Sequence, residues 1–167
     1  MNPTANRFAP GLEARPHTAP SVVLDTNVVL DWLLFHDPGV AMLAGQLRAG
    51  RLRWLATAAM RTELVLVSSR PQFTDWAPDC EHILSMFDQW AENCAEAPNL
   101  AVRPGGLCCG DPDDQKFIDL AVAVGASWLI SKDRALLALA RPARAYGVEV
   151  LTPARWQQLA APQPDSG

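Results

Sequence analysis

The chain has 167 residues, of which 49% are apolar and 19% charged, and a formal net charge of −4. That length suits one domain with a real hydrophobic core and is short for two. The acidic balance argues against a protein that coats nucleic acid through a broad basic surface, though not against a compact nuclease with one acidic cleft. No apolar run approaches a membrane span, and the opening MNPTANRFAPGLEARPHTAPS lacks the continuous apolar segment of a secretory signal. Expected instead are a disordered tail over 1–20, one domain over 21–160, a second tail over 161–167, and a cytoplasmic location. Cys80, Cys94, Cys108 and Cys109 form no CxxC pair and match no zinc spacing, so they read as small apolar residues in a reducing compartment.

Taken in order, Ser21 to Thr26 (SVVLDT) is an apolar strand with Asp25 at its carboxyl end, running straight into a helix from Asn27. Residues 38–50 predict a second short helix and Leu52 to Thr57 a second strand. Thr57 then caps a helix that Pro71 ends. In that helix Glu63 is the lone acid, on a stripe with Ala59, Leu66 and Val67. Residues 72–77 predict a loop, Pro78 to Ala95 an amphipathic helix, and Leu100 to Val102 a short strand.

The richest stretch is GDPDDQKFIDLAVAVGASWLISKD, Gly110 to Asp133. Asp111 is a good N-cap, Pro112 suits the first helical position, and Asp113 and Asp114 lie where the helix dipole favours anions. Phe117, Ile118, Ala121, Val124 and Gly125 recur at helical spacing, with Asp114 on the same stripe. Ser127 to Ser131 reads as a buried parallel strand, with Asp133 just beyond it. Arg134 to Ala140 predicts a helix, Val148 to Leu151 a last strand, and Pro153 to Leu159 a closing helix.

Strands alternating with helices predict an α/β fold, a three-layer α/β/α sandwich around a central, mainly parallel sheet. Ligands of such sheets sit beyond the carboxyl ends of the strands, where strand order reverses. Asp25, Glu63, Asp114 and Asp133 all fall near that rim. Each also has a plainer use: a cap for Asp25 or Asp133, a dipole partner for Asp114, an exposed helix residue for Glu63. Asp31, Asp111, Asp113 and Asp119 read as caps or solvated surface, with Asp111 the one placed to reach an ion through water.

If the four acids meet, each close pair costs roughly 4 kcal/mol at a surface-like dielectric. Several such pairs rival the ~5–15 kcal/mol that holds a domain folded. Protonation or a cation must relieve them, and all-oxygen ligation suits Mg²⁺ or Mn²⁺. Such ions promote phosphodiester hydrolysis. Arg61, Lys116, Lys132 and Arg134 each lie within two residues of one of these acids and are candidates for phosphate contacts. The tryptophans could stack on bases, but Trp54 and Trp128, inside strands, are expected in the core.

Together VVLDTNVVLDWLL, RTELV, DPDDQKFIDLAVAVGA and WLISKDRALL resemble the PIN-domain nucleases, in particular the VapC-like toxin components of toxin–antitoxin systems. The resemblance spans about residues 21–152 and rests on four motifs in order. It implies a PIN-like fold and a metal-dependent endoribonuclease that hydrolyses RNA with Mg²⁺ or Mn²⁺. It further implies that Asp25, Glu63, Asp114 and Asp133 are the catalytic, metal-binding quartet, that Asn27 and Ser131 support it, and that a small antitoxin and a homodimer are the partners. The alternatives are a PIN fold without turnover that binds RNA or a partner, and a haloacid-dehalogenase-type phosphatase. The phosphatase needs a second Asp two residues after the first, and that position is Asn27.

Overall fold

The computed structural model describes residues 18–161. The tails expected over 1–20 and 161–167 lie, but for 18–20 and 161, outside that range. The first half of the chain runs β1 (Ser21–Leu24), α1 (Thr26–Leu33), α2 (Ala41–Arg48), β2 (Arg53–Thr57), α3 (Ala58–Ser68), α4 (Cys80–Trp90) and β3 (Ala91–Cys94). The second half runs α5 (Gln115–Ala123), β4 (Trp128–Ile130), α6 (Arg134–Leu137), α7 (Ala140–Ala143), β5 (Glu149–Leu151) and α8 (Pro153–Ala160).

All five strands are parallel, in the order β3-β2-β1-β4-β5. This is the α/β architecture expected from the alternation of elements. From β1 the chain steps outward to β2 and β3, then crosses back to β4 and β5. With the right-handed crossovers usual between parallel strands, the two halves place their helices on opposite faces. Strand order therefore reverses between β1 and β4, and a crevice must open beyond their carboxyl ends. The sheet centre is dry: Val22, Val23, Leu129 and Ile130 are fully buried. Trp54 is sandwiched between Trp32 (ring centroids 5.8 Å apart) and Phe87 (4.8 Å, edge-on). Trp128 is half-buried against Trp156. Among the described residues no single helix is long and apolar enough to cross a membrane.

Several local expectations need correction. Residues 72–76 are not a loop but lie in a 3₁₀ helix, Pro71–Trp76, which Ala77 ends. The helix expected to reach Ala95 stops at Trp90, and Ala91–Cys94 is the sheet's edge strand. Ala91 is buried either way, so helical spacing ran on through it. Arg53 fixes that edge by a bidentate pair with Glu92 (3.1 and 2.7 Å). Leu100–Val102 is a 3₁₀ turn, not a strand, capped by the Asn99 side chain on Ala101 N. The turn depends on Gly106, where a Cβ would stand 2.0 Å from the Leu100 carbonyl oxygen. The helix expected over 38–50 is a 3₁₀ turn followed by α2, and the one over 134–140 divides into α6 and α7.

Candidate active site

Asp25 follows β1 directly, and its N–H still bonds to the Ile130 carbonyl of β4 (3.0 Å), so the ladder carries it to the reversal point. Its side chain is buried, with 2% exposed. Across the crevice, Ser131 Oγ donates to Asp25 Oδ2 (2.7 Å) and accepts from Asp133 N (2.9 Å). One hydroxyl thus ties Asp25 to the turn that presents Asp133. Asp133 Oδ1 caps α6 by accepting from Ala135 N (2.8 Å). On the far side, Asp111 accepts from Asp113 N (3.0 Å) and starts a 3₁₀ turn, Pro112–Asp114, that leads into α5.

These pieces enclose a cleft of about 180 Å³ lined by Asp25, Glu63, Asp111, Asp113, Asp114 and Asp133, with Asn27 and Arg70 among its other walls. Burial, then the Asp25, Asp133, Asp111 and Glu63 charges, push the Asp114 carboxyl up to about 7. Burial likewise raises Asp25, against the Ser131 hydroxyl and Asn27 N–H that favour its anion, and with Asp133 and Glu63 adding to the rise. A cleft that tolerates its own anions this poorly calls for a counter-charge.

The PIN domain family model matches residues 21–135, more than half of the chain. The chain belongs to the PIN domain family. Its fold resembles that of VapBC2 from Rickettsia felis, solved bound to a DNA fragment from its promoter. That match has a TM-score of 0.53 at 15% identity, over 79% of this chain and 98% of the other. PAE2754 from Pyrobaculum aerophilum aligns over 72% of this chain and 85% of its own at 18% identity, with a TM-score of 0.48. No curated protein matches the sequence.

In this PIN domain the four acids share one cleft but do not close on one point. Among the described residues no three His, Cys, Asp or Glu side chains are grouped tightly enough to hold an ion as they stand. Glu63 is moreover already engaged. Its Oε2 is ion-paired with the Lys116 ammonium, which also reaches the Asp113 carbonyl oxygen, and accepts no hydrogen bond of regular geometry. The donor set, all carboxylate oxygens, fits a hard divalent cation. Glu63 has to exchange its lysine partner to join it.

The basic residues singled out in the sequence are mostly engaged elsewhere. Arg61 forms a bidentate pair with Asp88 of α4 (2.7 and 2.8 Å), and Lys132 pairs with Asp31. Arg134 is exposed and does not line the cleft. The lining cation is Arg70, one turn beyond Val67, and the sequence reading missed it. Its spacing of seven from Glu63 was the available signal, although α3 itself ends at Ser68 and Arg70 follows in extended conformation.

Two acids taken for solvated surface are buried instead. Asp119 Oδ1 accepts from Leu100 N (2.9 Å) and Gln115 Nε2 (2.8 Å), and Asp31 is 8% exposed beside Lys132. The stripe assigned to Glu63 is also wrong in part. Ala59 and Leu66 are exposed, and α3 packs inward through Met60, Leu64, Val67 and Ser68.

Proposed function

We propose that this PIN domain is a Mg²⁺- or Mn²⁺-dependent ribonuclease that hydrolyses RNA phosphodiester bonds. The observation that carries the reading is the cluster of facing carboxylates at the sheet's reversal point, where burial and then the neighbouring charges push Asp114 up to about 7. A bound divalent ion would supply charge neutralisation and water activation there. Asp25, Glu63, Asp114 and Asp133 would hold it. Asp25 is the fixed member, since Ser131 orients its carboxylate and burial removes its freedom. Asp111, exposed at the rim, is placed to act through water.

The test is cleavage of single-stranded RNA in Mg²⁺ or Mn²⁺. Asp25→Asn should lower the rate by at least about 100-fold, beyond the 10–100-fold usual for losing a merely supporting partner. Equal rates in the two proteins would remove Asp25 from the chemistry. A second reading, a PIN fold that binds RNA or a partner without turnover, draws on the Lys116–Glu63 ion pair, which could replace the cation permanently. It predicts RNA binding with no metal-dependent cleavage in the wild-type chain.

The toxin role, a cytoplasmic location, a homodimer and a small antitoxin follow from the motif resemblance, and the fold shared with VapBC2 is consistent with them. Expression of this chain should arrest bacterial growth, and co-expression of a neighbouring small gene should relieve the arrest. Growth unaffected by an active nuclease would point to RNA processing instead.

A further inference from the structure

An acidic cleft repels the polyanion it is meant to cut, so a cation must hold the strand at its mouth. Among the described residues that cation has to be free. Arg53, Arg61, Lys116 and Lys132 are each paired with an acid, and Arg134 stands outside the lining. Arg70 lines the cleft without a salt-bridge partner.

Arg70 also begins the 3₁₀ helix Pro71–Trp76, with its carbonyl accepting from Phe73 N (3.0 Å). At about 2 Å of rise per residue, Trp76 lies roughly 12 Å further along. Trp76 is 57% exposed, unusual for so large a ring. It is nonetheless anchored: Phe35 meets it edge-on (centroids 4.8 Å, 79°) and Phe73 packs behind Phe35 (5.7 Å). A pre-set indole further along the same 3₁₀ segment from an unpaired guanidinium combines the chemistry that holds single strands, stacking for the base and charge for the phosphate.

We propose that Arg70 and Trp76 form a subsite for single-stranded RNA leaving the acidic cleft, Arg70 on a backbone phosphate and Trp76 stacked on a base. The subsite rests on the ribonuclease reading. The strand runs from the carboxylates past Arg70 and along the 3₁₀ helix, so a sequence-tolerant grip precedes cleavage.

Anisotropy of a fluorescein-labelled 12-nucleotide oligouridine, with full-length protein carrying Asp25→Asn to stop turnover, tests this. Adding Trp76→Ala should weaken binding at least fivefold, while Trp76→Phe should stay within about twofold. Arg70→Ala should weaken binding and flatten the dependence of log Kd on log salt by about 0.7, a change that Trp76→Ala should not make. Both side chains are on the surface, and unchanged melting curves check that the fold survives. Affinity and salt slope equal to the parent's in both variants would overturn the subsite while leaving the ribonuclease reading intact. A change in oligomer size with Trp76→Ala at constant RNA affinity would reassign the ring to a protein contact. If the wild-type chain neither binds nor cleaves RNA, the ribonuclease reading fails and the subsite fails with it.

Discussion

Asp114 and Asp119 lie little more than one helical turn apart, at the N-cap and in the middle of α5, and their surroundings differ sharply. Asp119 is more buried, yet its Oδ1 accepts two hydrogen bonds, from Leu100 N and Gln115 Nε2. Gln115 in turn accepts from Cys109 N and donates to the Leu107 carbonyl (2.7 and 2.9 Å). The network pins residues 100–109 to α5 and so sets where the Asp111 turn begins. Asp114 faces other carboxylates, and burial first and then their charges push it up to about 7. Burial therefore does not mark a functional acid. A buried acid supplied with donors builds the fold, whereas an acid left facing its own kind is the candidate for holding a counter-charge.

The contrast can be broken in order of expected effect. Asp119→Ala strands two donors, which should cost roughly 2–5 kcal/mol and lower the melting temperature by about 10 °C. Cleavage well below that temperature should persist. A stable but inactive Asp119→Ala would move that residue to the functional side.

Ser131→Ala frees Asp25 to rotate. It should cost about 10–100-fold in activity or metal affinity and, by stranding the Asp133 N–H, roughly 1–3 kcal/mol of stability, read from single-turnover rates and melting curves.

Asp114 makes stability depend on pH. An acid with a raised folded pKa binds its proton more tightly when folded. Metal-free protein should therefore lose stability as pH rises from about 4 through about 7. Screening at this half-open site leaves roughly 1–2 kcal/mol, or about 2–8 °C of melting temperature. Mn²⁺ should restore it at pH 8, and Asp114→Asn should flatten the profile.

Lys116→Met, the mildest change, releases Glu63 and removes a competing charge. The Mn²⁺ midpoint should fall several-fold. A rise would make Lys116 a support for the cation.

Much of this was legible in the sequence. Alternating apolar runs specify the parallel sheet, and an acid closing VVL or just past WLI must emerge at its carboxyl edge. Thr57, Asp111 and Asp133 cap where local pattern puts them. What escaped detection depends on distant partners. Asp119 looks solvated until Leu100 and Gln115 are placed against it. Ala91 suits a helix until β2 offers it a strand to pair with. Arg70 gains importance because Arg61 and Lys132 are occupied by Asp88 and Asp31, pairings that no local pattern encodes.

The most direct measurement is Mn²⁺ binding at pH 8, followed by loss of the free-ion electron paramagnetic resonance signal. Wild-type protein and Asp119→Ala, compared below its melting point, should take up Mn²⁺ alike, and Asp25→Asn should lose that uptake. Undiminished Mn²⁺ binding by a folded Asp25→Asn would contradict the assignment of the facing carboxylates as a cation site.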